Sequence, residues 1–265
     1  MRAATIEEMI QRVRRGPQFR AAAVMVLLTG LVILGYVGWD LYGTGYYQRA
    51  AQAQLQEQLA ARNDNPSFVF EGGASAPAPS TVATSATSMP ATAAEPATPV
   101  PAPGPALHSE VAPADGSALG RIVIPKVGLD TVMVQGVGVA DLKKGPGHMP
   151  WTPLPGQPGN AVVIGHRTTY GAPFYSINEL APGDHIIVET AIGKTIYAVR
   201  ETTVVKPTYT WVTANRPGAW LTLTACEPRY SAEKRIIVFA EMVAGPNLAA
   251  VEALAPHTTA PAPAG

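Results

Sequence analysis

From Ser117 to Ala244 the chain is a succession of short apolar runs separated by turn residues, and that pattern leaves few folds open. The runs are "RIVIPKV" (121–127), "TVMVQGV" (131–137), "NAVVIGH" (160–166), "DHIIVET" (184–190), "TIYAVRETTVV" (195–205), "WLTLTAC" (220–226) and "RIIVFAEM" (235–242). They are rich in β-branched residues, and Gly, Pro, Asn and Asp fill the gaps, which is how strands and their turns read. Helical signals are short, at Asp141–Lys144 and Phe174–Leu180. Many strands at close spacing with no long helix between them predict an all-β unit, a closed or nearly closed β-barrel. A segment of about 125 residues is large enough for one core.

Composition narrows the chemistry. Formal charge is +0, so there is no basic field for a nucleic acid, and no such partner is expected. The single cysteine excludes an internal disulfide and a thiolate metal cluster. Five histidines (108, 148, 166, 185 and 257) are scattered without metal-ligand spacing. Neither a metal nor a cofactor is expected.

Three segments precede the strand-rich part. "AAAVMVLLTGLVILGYVGW" (21–39) is 19 residues without a charge, and a helix of that length spans roughly 28 Å, close to the hydrocarbon thickness of a bilayer. Arg12, Arg14, Arg15 and Arg20 precede it, and Trp39, Tyr42, Tyr46 and Tyr47 lie at or beyond its far end. The arginines argue for a cytoplasmic N-terminus and the aromatics suit the outer interface, giving a single-pass protein of the cell membrane with its folded part outside. No small-x-small cleavage site follows the run, so it reads as a retained anchor and not as a signal peptide. "QRAAQAQLQEQLAAR" (48–62) reads as a short polar helix acting as a solvated spacer. Residues 72–107 are rich in Ala, Pro, Ser and Thr with one charge, Glu95, a composition that buries too little surface to fold, and are expected to be a disordered tether crossing the envelope. The chain therefore divides into a cytoplasmic N-terminus (1–20), an anchor (21–39), an extracytoplasmic helix and linker (40–116), a β-barrel (117–245) and a flexible tail (246–265).

The cysteine sits in "LTLTACEPRY" (221–230). Side chains alternate along a strand, so Leu221, Leu223 and Ala225 share a core face, and Thr222, Thr224 and Cys226 share the wetter one. Pro228 breaks the ladder, and "RIIVFAEM" resumes it. If the two strands pair antiparallel, Cys226 and Arg235 flank the loop and lie about 5 Å apart in backbone. A permanent cation beside a thiol favours a thiolate or an oxyanion. A lone thiol is only a few per cent ionised near neutrality and needs a base or a cationic partner. His166 is the best candidate, because its strand also stops abruptly, in Gly165-His166-Arg167. His148 lies in a Gly/Pro-rich loop and reads as structural.

"VIGHRTTYGAPF" (163–174) and "LTLTACEPRYSAEKRIIVFAE" (221–241) resemble the two signature regions of sortases, the cysteine transpeptidases of Gram-positive surfaces. "GPGHMPWTPLPGQPGN" (145–160) resembles the segment that precedes the family's histidine. "GHRTTYGAPF", the anchor and the Ala/Pro-rich tether look most like class E of actinobacteria. The resemblance implies an eight-stranded sortase-type β-barrel with short helices. It further implies Cys226 as nucleophile, His166 as proton donor and acceptor, and Arg235 as the holder of substrate and oxyanion. Tyr170 corresponds to a tyrosine associated in class E with Leu-Ala-x-Thr-Gly over Leu-Pro-x-Thr-Gly signals, and Thr224 and Ala225 complete the expected substrate contacts. Its implied partners are secreted proteins carrying a sorting signal, a peptidoglycan-precursor amine and, through the N-terminal helix, the membrane. Two positions depart from the family pattern: Ala225 replaces a Thr, and Glu227 stands where Asn or His is commoner. A carboxylate beside a thiol raises the thiol's pKa.

Three other readings compete: a hydrolase using the same residues with water as acceptor, an L,D-transpeptidase, and a membrane-tethered non-catalytic β-domain that binds wall or partner proteins. "LTLTACEPR" lacks the Ser/His-x-Gly-Cys-Arg type motif of the second. Thiol reactivity separates the enzyme from the binding module.

Overall fold

The computed structural model describes residues 17–39, 43–64, 69–72 and 105–254. Helix α1 (Pro17–Gly38) and helix α2 (Thr44–Asn63) come first. Strands β1 (Val69–Gly72) and β2 (Leu107–Glu110) pair antiparallel. Then follow β3 (Ala118–Ile124), β4 (Leu129–Gln135), α3 (Val139–Leu142), β5 (Gly147–His148), β6 (Gly159–Ile164), β7 (His185–Thr190), β8 (Gly193–Val205), β9 (Ala219–Glu227), β10 (Lys234–Ala244) and α4 (Leu248–Leu254). Eight strands close into a barrel in the order β10-β8-β7-β3-β4-β5-β6-β9. Closure leaves no free sheet edge at the seam.

Inward positions alternate, as a barrel core requires. Ile122, Val163, Val188, Leu221, Leu223 and Val238 are all sealed in one cluster. The first run, 121–127, is strand only as far as Ile124: Pro125–Val127 is a 3-10 turn closed by Gly128 at φ 65°. Proline cannot donate to the ladder, and a left-handed residue ends the turn at little cost only when it is glycine. Strand β5 is two residues long, too short to register in a sequence pattern.

Three expectations need correction. The face of β9 carrying Thr222 and Thr224 is not wet: Thr222 is fully buried and Thr224 nearly so. Thr222 donates to Asn160 Oδ1 at 2.6 Å, and Asn160 donates to the carbonyls of Val212 and Ala214. A buried hydroxyl with a partner is tolerated on an inner surface. The tail is not wholly flexible either, because α4 packs back on the barrel with Ala250 and Val251 buried. Asn247 just before it is sealed, its amide donating to Gly156 O and His108 O. His108 therefore belongs to an ordered strand. His257 and most of the tether lie outside the described residues.

The third correction is α2. It is not a solvated spacer but lies against β3 and β4. Leu55, 2% exposed, packs with Ala118, Val132 and Val134. The Gln52 carboxamide donates to Val132 O and Lys144 O, both at 2.9 Å, and accepts from Val132 N and Thr131 Oγ1, both at 2.8 Å. The cause is local. Strand β5 pairs with β4 only at Val134 and Gln135. On that side of β4 the next peptide, at Val132, has no strand beside it among the described residues, and a buried peptide needs a partner. The Gln52 amide replaces the missing strand. At the far end Arg62 donates to Ala118 O, Leu119 O, Val111 O and Glu110. The chain thus leaves the barrel wall at Arg62 and returns to the same spot at Glu110.

Candidate active site

Strands β6 and β9 run parallel, with Ile164 opposite Thr224. One step on, Gly165 N donates to Thr224 O at 3.0 Å. Both strands then deliver their next residues, His166 and Cys226, to the same end of the barrel. On the other side β9 and β10 are antiparallel, and Cys226 pairs in register with Arg235. Cys226, His166 and Arg235 line one cavity of about 320 Å³, together with Thr224 and Ala225. The thiol is half-buried, neither sealed in the core nor fully open.

Each side chain is held differently. His166 sits where β6 meets the loop 165–176. Its carbonyl accepts from Phe174 N at 3.1 Å, and Phe174 is sealed in the core. The Phe174 ring lies so close over Gly165 that a Cβ there would fall 2.4 Å from it, so this position requires glycine. Thr169 Oγ1 stands 3.3 Å from His166 Nδ1. Burial, and after it the Lys143 ammonium, holds the imidazole below its ordinary value of 6.5, so the ring is neutral at pH 7. Arg235 Nη1 donates to Ala232 O and Lys234 O, which orients the guanidinium, while among the described residues Nε and Nη2 keep their donors for a ligand.

Tyr170 does not line the shared cavity. Its ring lies 5.1 Å from that of His166, tilted by 39°. Ala225 is 2% exposed and belongs to the core cluster as well as to the cavity wall. His148 is fully buried, with Nε2 2.9 Å from Pro153 O and Nδ1 2.9 Å from the Gln135 amide. Burial keeps its pKa low, and it braces the loop before β6.

Arg167 is the residue that the sequence analysis left without a role. It is only 3% exposed. Its guanidinium donates to Glu227 at 2.6 Å, to Cys226 O at 3.3 Å, to Tyr175 O at 2.7 Å and to Asn178 Oδ1 at 2.8 Å. It follows His166 in sequence and grips the peptide of Cys226, so it ties the two strand ends together. Glu227 is thereby paired with a cation instead of standing as a bare carboxylate beside the thiol. Glu227 stood out in the sequence as a departure, but nothing there paired that carboxylate with Arg167.

A second cleft of about 450 Å³ also reaches Cys226 and His166, and is walled by Arg167, Thr168, Thr169 and Ser231 among others. The first cavity is walled by Leu142, Met149, Val205, Val212 and Ile237. Two clefts of different polarity therefore converge on one thiol and one imidazole.

A sortase-domain family model matches residues 122–243. Sortase D of Bacillus subtilis is 33% identical over 135 residues, which cover 49% of this chain and 67% of that protein. The chain belongs to the sortase family. Sortase SrtE1 of Streptomyces coelicolor is 36% identical over 94 residues, covering 32% of this chain and 27% of SrtE1. The chain thus spans about a quarter of one sortase relative and two thirds of the other. Among solved structures, sortase E of Streptomyces avermitilis is 32% identical, covering 49% of this chain and 91% of that one with a TM-score of 0.46. Sortase E1 of S. coelicolor, solved with a tripeptide in its active site, is 31% identical, covering 49% and 90% with a TM-score of 0.47. Sortases are cysteine transpeptidases, and class E members stand among these relatives.

Proposed function

We propose that this chain is a membrane-anchored sortase that cleaves the Thr-Gly bond of a C-terminal sorting signal, of Leu-Ala-x-Thr-Gly or Leu-Pro-x-Thr-Gly type, and passes the protein to an amine of a cell-wall precursor. The observation that carries the reading is the convergence of Cys226, His166 and Arg235 on one cavity. His166, neutral in the free site, takes the thiol proton of Cys226 as the sulfur attacks the threonine carbonyl, and the oxyanion is met by the Arg235 guanidinium. The C–N bond breaks as His166, in its protonated form, gives a proton to the leaving glycine amine. An incoming amine attacks the thioester, His166 takes its proton, and the thiolate departs. The more apolar cavity suits the sorting signal, and the second cleft, with its larger share of polar side chains, suits the acceptor.

Helix α1 has 22 residues, none buried, and contains an 18-residue stretch of mean hydropathy 2.3, which supports the anchor, and the arginines before it support a cytoplasmic N-terminus. Incubation with Ala- and Pro-containing signal peptides plus candidate amines, read by mass, is the test. Wild type should form the amide product, and Cys226→Ala should form neither thioester nor product. His166→Ala and Arg235→Ala should lose at least about a hundredfold in kcat/KM. Turnover retained by Cys226→Ala removes the mechanism.

A further inference from the structure

The loop after His166 has an unusual backbone. Tyr170, Gly171 and Ala172 follow one another at φ 49°, 72° and 46°. Two of the three are not glycine, and a side chain in the left-handed region crowds its own backbone carbonyl. A turn of this kind persists when its surroundings hold it. Helix α2 supplies part of that hold. The Tyr47 ring stands edge-on to Tyr170, with centroids 6.4 Å apart at 79°. Gln48 packs so closely that a Cβ on Gly171 would lie 2.5 Å from its Oε1. Lys143 Nζ lies 5.4 Å from the centre of the same Tyr170 ring. Tyr170 is thus fixed by Tyr47, Lys143 and the backbone turn, and its ring lies against His166.

The helix is itself anchored. Gln48 lies one turn before Gln52, whose amide makes four bonds to the barrel. A helix fixed at Gln52 carries its preceding turn to a defined place. We propose that α2 is a working part of the catalytic site: Tyr47 is a positioning residue that holds the 170–172 turn and, through Tyr170, sets the orientation of the His166 ring. The inference rests on the catalytic reading given above. It makes the segment after α1 part of the enzyme and not a connector.

The test uses the full chain in detergent micelles, comparing wild type, Tyr47→Ala, Tyr47→Phe and Gln52→Ala. Hydrogen exchange is read at residues 168–175, and kcat and KM on a sorting peptide. Tyr47 is half-exposed, so its removal should leave the thermal midpoint unchanged. Tyr47→Ala should speed exchange in the turn and lower kcat by about tenfold or more with KM little altered. Tyr47→Phe, which keeps the ring edge, should restore both. Gln52→Ala should give the same kinetic loss together with a lower thermal midpoint. Unchanged exchange in Tyr47→Ala overturns the proposal, and so does a loosened turn with wild-type kcat. A wild-type chain that forms no thioester with any sorting peptide overturns the proposed function instead. The exchange measurement then decides the contact alone, and a turn indifferent to Tyr47→Ala overturns it.

Discussion

Arg167 shows how much one side chain can do when it is out of water. Its guanidinium bridges the end of the histidine strand to the peptide of Cys226 and to Glu227. Removing one partner of a buried pair leaves the other uncompensated, which is strongly destabilising. Arg167→Met should cost about 3 kcal/mol or more in urea unfolding. Glu227→Gln should cost less, because the Glu227 side chain is 26% exposed where that of Arg167 is 3% exposed. The double variant should recover part of the Arg167→Met loss, since no unpaired carboxylate remains. Equal losses for the two single variants would show that the pair is not the connection between the strand ends. None of this was legible in the sequence, because an arginine in a loop ordinarily faces water. His166 and Cys226 were legible because each stands where an apolar strand run stops at a turn, and the register of β9 on β10 follows from the loop between them.

At the scale of elements, the seven long barrel strands were readable from β-branched runs and turn residues. Strand β5 was not, since two residues carry no period. Helix α2 was misread because its contact stripe is Gln52, Leu55, Leu59 and Arg62, half of it polar. Polar side chains on a helix read as solvent-facing, and only the unpaired peptide of β4 explains why Gln52 is buried. The loop between β6 and β7 depends on the fit of Phe174 over Gly165. Gly165→Ala should force that ring aside and shift His166 with it. We expect an activity loss of about a hundredfold, with the folded barrel retained by circular dichroism. Wild-type turnover in Gly165→Ala would mean that the loop adjusts without moving the imidazole.

On the scale of the whole molecule, the chain departs from the barrel at Arg62 and rejoins it at Glu110, and those two residues touch at 3.3 Å. The long Ala/Pro stretch between β1 and β2 is therefore an excursion that comes back to its starting point. Helix α2, which follows α1, is clasped to the barrel by its own contacts and does not rely on the stretch as a leash. A protease site placed at residue 85 should make this visible: after complete cutting, the two fragments should still elute together in a non-denaturing detergent, and Leu55→Asp should let them part. Fragments that separate without that substitution would return the stretch to the role of a leash. If the clasp holds, the length of the stretch is free to vary without altering how far the thiol stands from the first helix.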